Sequence, residues 1–212
     1  MMSEKIEKVD FKKEFKVLFS PSAKAPVMVD VPDFKYVMVE GEGDPNVVEQ
    51  FQEKVGVLYG LSYTIKFMMK KDPVEPFDYT VLPLSGLWHA EDCSAFAGEG
   101  RKHEWRWRLM IMQPDRVTAD VFEAAKEELR KKKNPAYLDD VRFEVYSEGL
   151  CAQIMHVGPY SQEGPTVRKL HDFFQEKGYT FNGLHHEIYL SDPRRAQPER
   201  LKTIIRQPVK KV

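Results

Sequence analysis

Cysteine is scarce in this chain of 212 residues, where it occurs only as Cys93 and Cys151. Two cysteines cannot form a disulfide framework and neither belongs to a C-x-x-C pair, so we expect two reduced, packed thiols without chemistry. The sequence also lacks a run of about 18 apolar residues that could cross a bilayer, and its start lacks the apolar stretch of a secretory signal. We therefore predict a cytoplasmic protein without a membrane partner.

An excess of charge of either sign is also missing, because 32 basic and 33 acidic residues give a formal net charge of -1. Without an overall positive field, we expect no direct binding to nucleic acid or to an anionic membrane surface. The basic run RKKK at 130–133 fits the end of a surface helix that begins after Thr118, since the helix dipole favours cations there. With 42% hydrophobic residues, the chain can bury a substantial core.

Motifs for metal, phosphate or nucleophilic chemistry are absent from the sequence. The run His185-His186-Glu187 invites a zinc site, but neighbouring residues of a strand point to opposite faces, and no helix carries two histidines at a metal-binding spacing. The chain has neither a G-x-S-x-G nucleophile elbow nor a Walker loop. We therefore expect no metal and no cofactor.

The same order of structural signals occurs twice along the chain. In the first copy, residues 34–46 form a strand pattern that ends in a cluster of glycine and proline. Apolar residues at helical spacing follow in 46–60, where Gly60 can end the helix. Two strands are then predicted at 61–69 and 79–88.

The second copy begins with a strand in 150–164 that ends at Gly158. A helix is predicted at 165–178, followed by strands at 184–192 and 201–209. Both copies therefore have the order strand, helix, strand, strand, which indicates an internal duplication.

Two such modules can pair side by side, so we predict an α+β fold with one antiparallel sheet, helices on one face and a ligand groove on the other. The chain forms a single domain over 1–212. Its predicted parts are an extended N-terminal segment (1–30), a first module (31–90), a connecting strand and helix (91–147) and a second module (148–212).

A carboxylate occurs in the middle of the second-module strand at 184–190. Period-two alternation places His185, Glu187 and Tyr189 on one face and Ile188 and Leu190 on the other. Because the apolar pair should meet the helices, we expect Glu187 and Tyr189 to face the groove.

The first copy does not repeat this carboxylate, since Thr64 and Lys66 align with Glu187 and Tyr189. The alternative for Glu187 is that it satisfies a local donor, and the alternative for Trp105 and Trp107 is packing in the core. The candidate ligand-binding residues are Trp88, Trp105, Trp107, Tyr160, Tyr36, Lys66 and His185.

Five ordered motifs resemble those of stand-alone GyrI-like proteins: GEGDPN, MIMQPDRVT, HVGPYSQEG, HHEIYLSDPRR and LKTIIRQPV. The resemblance covers nearly the whole chain. It implies tandem modules that form a small-molecule groove, as in the effector domains of bacterial multidrug-responsive regulators. In those regulators a buried glutamate matching Glu187 meets cationic aromatic drugs. Some stand-alone members are cyclopropanoid hydrolases, which add water to the strained ring of DNA-alkylating natural products.

Relatives of this kind often carry an acid and a tryptophan where this chain has Ser85 and His89. If that acid activates water or orients the substrate, this chain would bind a ligand without hydrolysing it.

These observations predict a protein that binds flat, apolar or weakly cationic small molecules. The sharper hypothesis is xenobiotic detoxification by cyclopropanoid hydrolysis, with Glu187 as general base and Tyr189 as the group that orients it. The alternatives are a noncatalytic sensor or sequestering module and a gyrase-interacting protein. We expect a monomer or a homodimer whose partner is the small molecule.

Overall fold

An antiparallel sheet of nine strands organises the part of the chain that the computed structural model describes, residues 7–90 and 99–212. The strands are β1 (Lys8–Val9), β2 (Val27–Val31), β3 (Phe34–Glu42), β4 (Asp78–Tyr79), β5 (Leu84–His89), β6 (Arg106–Gln113), β7 (Arg142–Tyr146), β8 (Gly149–Val157), β9 (Tyr179–Phe181), β10 (His185–Tyr189) and β11 (Lys202–Lys211). The helices are α1 (Phe11–Glu14), α2 (Lys16–Phe19), α3 (Glu49–Lys70), α4 (Ala119–Lys132) and α5 (Gly164–Glu176). Strands β1 and β4 form a separate parallel pair.

The strand order of the large sheet is symmetric about its centre. The order is β2-β8-β11-β10-β5-β6-β3-β7, and β9 pairs with β11. At the centre, β10 and β5 are antiparallel, with Glu187 opposite Gly86. Outward from this junction, β10, β11 and β8 on one side correspond to β5, β6 and β3 on the other. The predicted α+β class with two strand-helix-strand-strand modules is confirmed.

The first module contains a longer helix than the sequence predicted. Helix α3 continues through Gly60 and through the predicted strand at 61–69. Leu61 and Ile65 are fully buried at the i, i+4 spacing of one helix face, so packing against the sheet favours the helix over the strand. The predicted strand at 79–88 is divided between β4 and β5, and the last strand of the module is β6, which lies in the range predicted as the connection between the modules.

Both faces of the sheet are covered. Helices α3 and α4 pack over β3, β5 and β6, and α5 packs through Leu170 and Phe174 over β8 and β11. We call this side the helix face. The opposite side, the N-terminal face, is covered by the short helices α1, through Phe11, and α2, through Leu18 and Phe19. The sequence predicted an extended segment here, but among its described residues it forms α1 and α2 as well as β1, which pairs with β4, and β2, which pairs with β8 at the edge of the large sheet.

The alternation of β10 is as predicted, but its orientation is reversed. Ile188 and Leu190 pack on the N-terminal face, whereas Tyr189 packs on the helix face. Glu187 therefore lies on the same side as α3 and α5, and not opposite the helices. Alternation divides the residues of a strand between two faces but does not identify the element that covers each face.

Helix α4 agrees with its sequence signals. Thr118 accepts a hydrogen bond from the backbone N–H of Val121 at 3.3 Å. Two residues of the basic run form exposed ion pairs, Arg130 with Asp139 and Lys132 with Glu128. Within residues 7–90 and 99–212, no helix has the length and apolar character that crossing a membrane requires.

A buried ionic network lies on the N-terminal face. Glu148 accepts a hydrogen bond from Arg206 at 3.0 Å and lies 2.8 Å from Nδ1 of His186. Arg206 also donates to the Leu18 carbonyl, which holds α2 to the sheet. Burial alone would raise the pKa of Glu148, but the charges and hydrogen bonds of His186 and Arg206 outweigh burial and lower it to about 2.

We expect Glu148→Gln to reduce the free energy of unfolding by about 3–5 kcal/mol near neutral pH, because Arg206 would stay buried without its counter-charge. The control is Glu128→Gln on exposed α4, where the loss of an i, i+4 pair costs under about 1 kcal/mol. Urea unfolding measures both.

The pKa of Glu148 is about 2 in the folded protein and 4.5 in the unfolded chain. The ionised carboxylate therefore stabilises the fold above pH 4.5, and this stabilisation is lost as the pH falls toward about 2. The stability difference between the wild type and Glu148→Gln should therefore shrink across that window. A difference that does not depend on pH would contradict the role of this ion pair.

Candidate functional site

Glu187 lies at the sheet centre with a side chain that is 15% exposed. The Tyr189 hydroxyl donates to its Oε2 at 2.9 Å, and Nε2 of His185 lies 3.2 Å from its Oε1. Both partners come from the same face of β10. Within the described part of the chain, no lysine or arginine forms an ion pair with this carboxylate. Glu187 is thus hydrogen-bonded, but its charge is not neutralised by a permanent cation.

A series of aromatic side chains in contact with one another extends from Glu187 through Tyr189. Nε1 of Trp88 donates to the Tyr189 hydroxyl at 3.0 Å, so one chain of hydrogen bonds runs from Trp88 through Tyr189 to Glu187. The Tyr160 ring meets Tyr189 edge to face at a centroid distance of 5.7 Å, and its residue is 40% exposed. Trp105 packs on Trp88 in the same manner at 5.6 Å. The site therefore combines one carboxylate with rings at several angles.

Gly86 creates the space for this arrangement. It pairs with Glu187 across the β5–β10 junction. A Cβ at this position would lie 3.1 Å from Nε1 of Trp88 and 3.3 Å from the Tyr189 hydroxyl. The missing side chain allows these two groups to meet directly above the backbone.

The tyrosines of the site remain protonated donors. Burial raises the pKa of Tyr189 well above its ordinary value of 10.0, and the charge of Glu187 is the second cause of the increase. Burial and the neighbouring carboxylates Glu163 and Glu187 raise the pKa of Tyr160 to about 12. The Tyr189 hydroxyl can therefore hold Glu187 in position throughout the neutral range.

Glu163 is a site residue that sequence reasoning missed. It directly precedes α5 and is 7% exposed. Burial and then the charge of Glu187 raise the pKa of the Glu163 carboxyl to about 9. Its position before a helix is typical of a capping residue, and the sequence contains no signal that it meets β10.

Three of the predicted groove residues lie elsewhere. Trp107 is 2% exposed and its ring lies over Gly41, so its place is in the core. Tyr36 packs on the N-terminal face, on the other side of the sheet from Glu187. Lys66 is on α3 and forms a buried ion pair with Asp78, so its predicted alignment with Tyr189 on a strand is wrong. The structure brings together Glu187, Tyr189, His185, Trp88, Trp105 and Tyr160.

Ser85 also lies on the N-terminal face. Its hydroxyl donates to the Met110 carbonyl at 3.2 Å, and it lines a small cavity with His186 and Arg206. His89 is exposed at the end of β5. An acid at position 85 would therefore not lie beside Glu187.

Other reactive groups are few in the part of the chain described. No cluster of three or more His, Cys, Asp or Glu side chains there could hold a metal ion. Cys151 is buried, and burial raises the pKa of its thiol, which disfavours the reactive thiolate. Cys93 lies outside the described residues.

Comparison with known proteins agrees with the fold. The model of the GyrI-like small molecule binding domain matches residues 24–210. The chain belongs to the GyrI-like family. None of the curated proteins matches it.

Two solved structures from Listeria innocua are similar to this GyrI-like chain over nearly its whole length. An uncharacterized conserved protein is 41% identical with a TM-score of 0.87, and a protein described as a hydrolase is 40% identical with a TM-score of 0.84. Each match covers 96% of this chain and 100% of the other. The EcmrR C-terminal domain has the same fold at 14% identity, with a TM-score of 0.53 over 88% of this chain and 98% of that one.

We expect Tyr189→Phe to lower the free energy of unfolding of this GyrI-like protein by about 1–3 kcal/mol, because the change leaves Nε1–H of Trp88 and one Glu187 oxygen without their partner. Tyr63→Phe, at an exposed position of α3, is the control and should change the free energy of unfolding by less than about 0.5 kcal/mol. Denaturant unfolding followed by tryptophan fluorescence measures both. Equal stabilities would show that the hydrogen-bond chain contributes nothing to the fold.

Proposed function

We propose that this protein binds flat, apolar or weakly cationic small molecules over Glu187, and that it hydrolyses reactive cyclopropanoid rings with Glu187 as general base. The observation that carries the proposal is a largely buried carboxylate with no lysine or arginine partner among the described residues, set among Trp88, Trp105, Tyr160 and Tyr189. A carboxylate kept only for stability would normally be paired.

Binding follows from this combination of groups. Rings orient a flat ligand by stacking and edge contacts, and their burial supplies most of the favourable free energy. A carboxylate in surroundings of low polarity attracts a cationic ligand more strongly than it would in water. Tyr160, which is partly exposed, is available for contact with such a ligand.

Hydrolysis requires, in addition to a bound substrate, a water molecule and a base that accepts its proton. Glu187 takes a proton from water while the water oxygen bonds to a cyclopropane carbon. The ring bond to that carbon breaks, and its electron pair passes into the conjugated carbonyl group of the substrate, which is then protonated by solvent. Tyr189 holds Glu187 in position for this step. The similarity to a Listeria innocua protein described as a hydrolase supports a reaction of this class.

The second candidate is a noncatalytic module that sequesters or senses the same ligands. It is favoured by the carboxylate itself, because a charge without a lysine or arginine partner serves a bound cation as well as it serves an activated water molecule. Either activity would protect against a toxic compound. A cytoplasmic location and a monomeric or homodimeric state remain predictions from the sequence.

Replacement of Glu187 by Gln tests the proposal, because it keeps the shape and removes the charge and the basicity. We expect ring opening of a cyclopropane-bearing alkylator to slow by about 100-fold to 10,000-fold, the usual cost of losing a general base. Mass spectrometry in isotopically labelled water follows the incorporated oxygen. Binding of a cationic rhodamine dye should weaken in parallel, while thermal stability holds or rises.

Glu199→Gln, which changes an exposed carboxylate in the same module, is the matched control. It should leave the ring-opening rate and the dye affinity unchanged. Dye binding that depends on Glu187 without any ring opening by the wild type would select the noncatalytic candidate. Loss of stability with full binding and turnover in Glu187→Gln would make Glu187 a structural residue and refute the proposal.

A further inference from the structure

Glu163 is positioned unlike an ordinary residue at a helix start. It occupies the N-cap position of α5, where a carboxylate commonly accepts hydrogen bonds from the first free N–H groups. Its side chain makes no capping hydrogen bond. It is buried instead, and among the described residues its Oε1 has no hydrogen-bond partner. Helix capping therefore does not explain this acid.

The residues just before α5 pack against β10, since the Tyr160 ring contacts the Tyr189 ring at a centroid distance of 5.7 Å. This packing buries the Glu163 carboxyl on the side of the sheet that carries Glu187, whose charge acts on it. Two adjacent carboxyl groups that are shielded from water do not both ionise at neutral pH, since each charge disfavours the other.

The surroundings decide which of the two carries the proton. Glu187 accepts a hydrogen bond from the Tyr189 hydroxyl at 2.9 Å, and Nε2 of His185 lies 3.2 Å from its other oxygen. Glu163 has no such donor at Oε1 and is the more deeply buried of the two acids. The proton is therefore expected on Glu163, and the negative charge on Glu187.

We propose that Glu163 and Glu187 share a single proton at neutral pH, and that protonated Glu163 is a positioning residue that donates a hydrogen bond to Glu187. This inference rests on the proposed role of Glu187. Glu163 would be a second hydrogen-bond donor to Glu187, in addition to Tyr189. Glu187 would then be held from two elements, β10 and the start of α5. When Glu187 accepts the proton of water, the pair becomes neutral and no new negative charge is buried.

Glu163→Gln is the sharpest test, because glutamine resembles the protonated acid and still donates to Glu187. We expect dye affinity and ring-opening rate near neutral pH to stay within about threefold of the wild type. Glu163→Leu removes the donor and should slow ring opening about tenfold, the size of one hydrogen bond to a charged group. Glu176→Gln, at the exposed far end of α5, is the matched control.

The pH dependence of stability gives a second readout that needs no ligand. In the unfolded chain Glu163 ionises near 4.5, whereas in the folded protein it keeps its proton to about 9. Between these values the folded state binds more protons than the unfolded state, so this group makes the wild type less stable as the pH rises. Glu163→Gln removes the effect.

The Tm of Glu163→Gln should therefore rise relative to that of the wild type by about 5 °C or more between about pH 5 and about pH 9. Both proteins contain the other ionisable groups near the pair, so the Tm difference reports the loss of the Glu163 carboxyl together with its effect on these neighbours. These groups are Glu187, Tyr189, His185, Tyr160, His156 and Arg168.

The outcomes separate this inference from the proposed function. A Tm difference that does not change with pH, or a Glu163→Gln variant that loses ring opening as fully as Glu187→Gln, would overturn the shared proton. An infrared C=O band of a protonated carboxylic acid, present in the wild type at neutral pH and absent in Glu163→Gln, would support it. If Glu187→Gln keeps full activity while the Tm difference follows pH as expected, the proposed function fails and the proton sharing stands.

Discussion

The antiparallel pairing of β5 with β10 is the interaction on which the site depends. Its register places Glu187 opposite Gly86 and His185 opposite Trp88, at the line where the two modules meet. A shift of one residue would move Glu187 to the N-terminal face, because alternate residues of a strand point to opposite sides. The carboxylate lies on the helix face because backbone hydrogen bonds fix this register.

Strand β10 carries two kinds of polar residue in different electrostatic settings. His186 on the N-terminal face belongs to a network in which Arg206 balances the charge of Glu148. Glu187 on the helix face is near a second carboxyl and a tyrosine, and among the described residues it has no basic side chain other than His185 close to it. Burial alone does not distinguish structural from functional acids. The distinction depends on whether basic side chains balance the charge of each acid.

Local signals in the sequence predicted the repeated modules, the alternation of β10 and the cap of α4, since each depends on residues close together in the chain. They failed at 61–69, where β-branched and aromatic residues favour a strand locally but tertiary packing forms a helix. Glu163 could not be predicted either. It lies 24 residues before Glu187 in the sequence (187 minus 163), and only the packing of α5 against the sheet brings the two together.

The N-terminal face changes how sequence differences at position 85 should be interpreted. Ser85 is on the opposite side of the sheet from Glu187 and shares a cavity with His186, whose Nε2 has no hydrogen-bond partner among the described residues. An aspartate or glutamate at position 85 would face the cavity that His186 and Arg206 also line. A substitution at position 85 therefore acts first on the packing between α2 and the sheet, and not on the surroundings of Glu187.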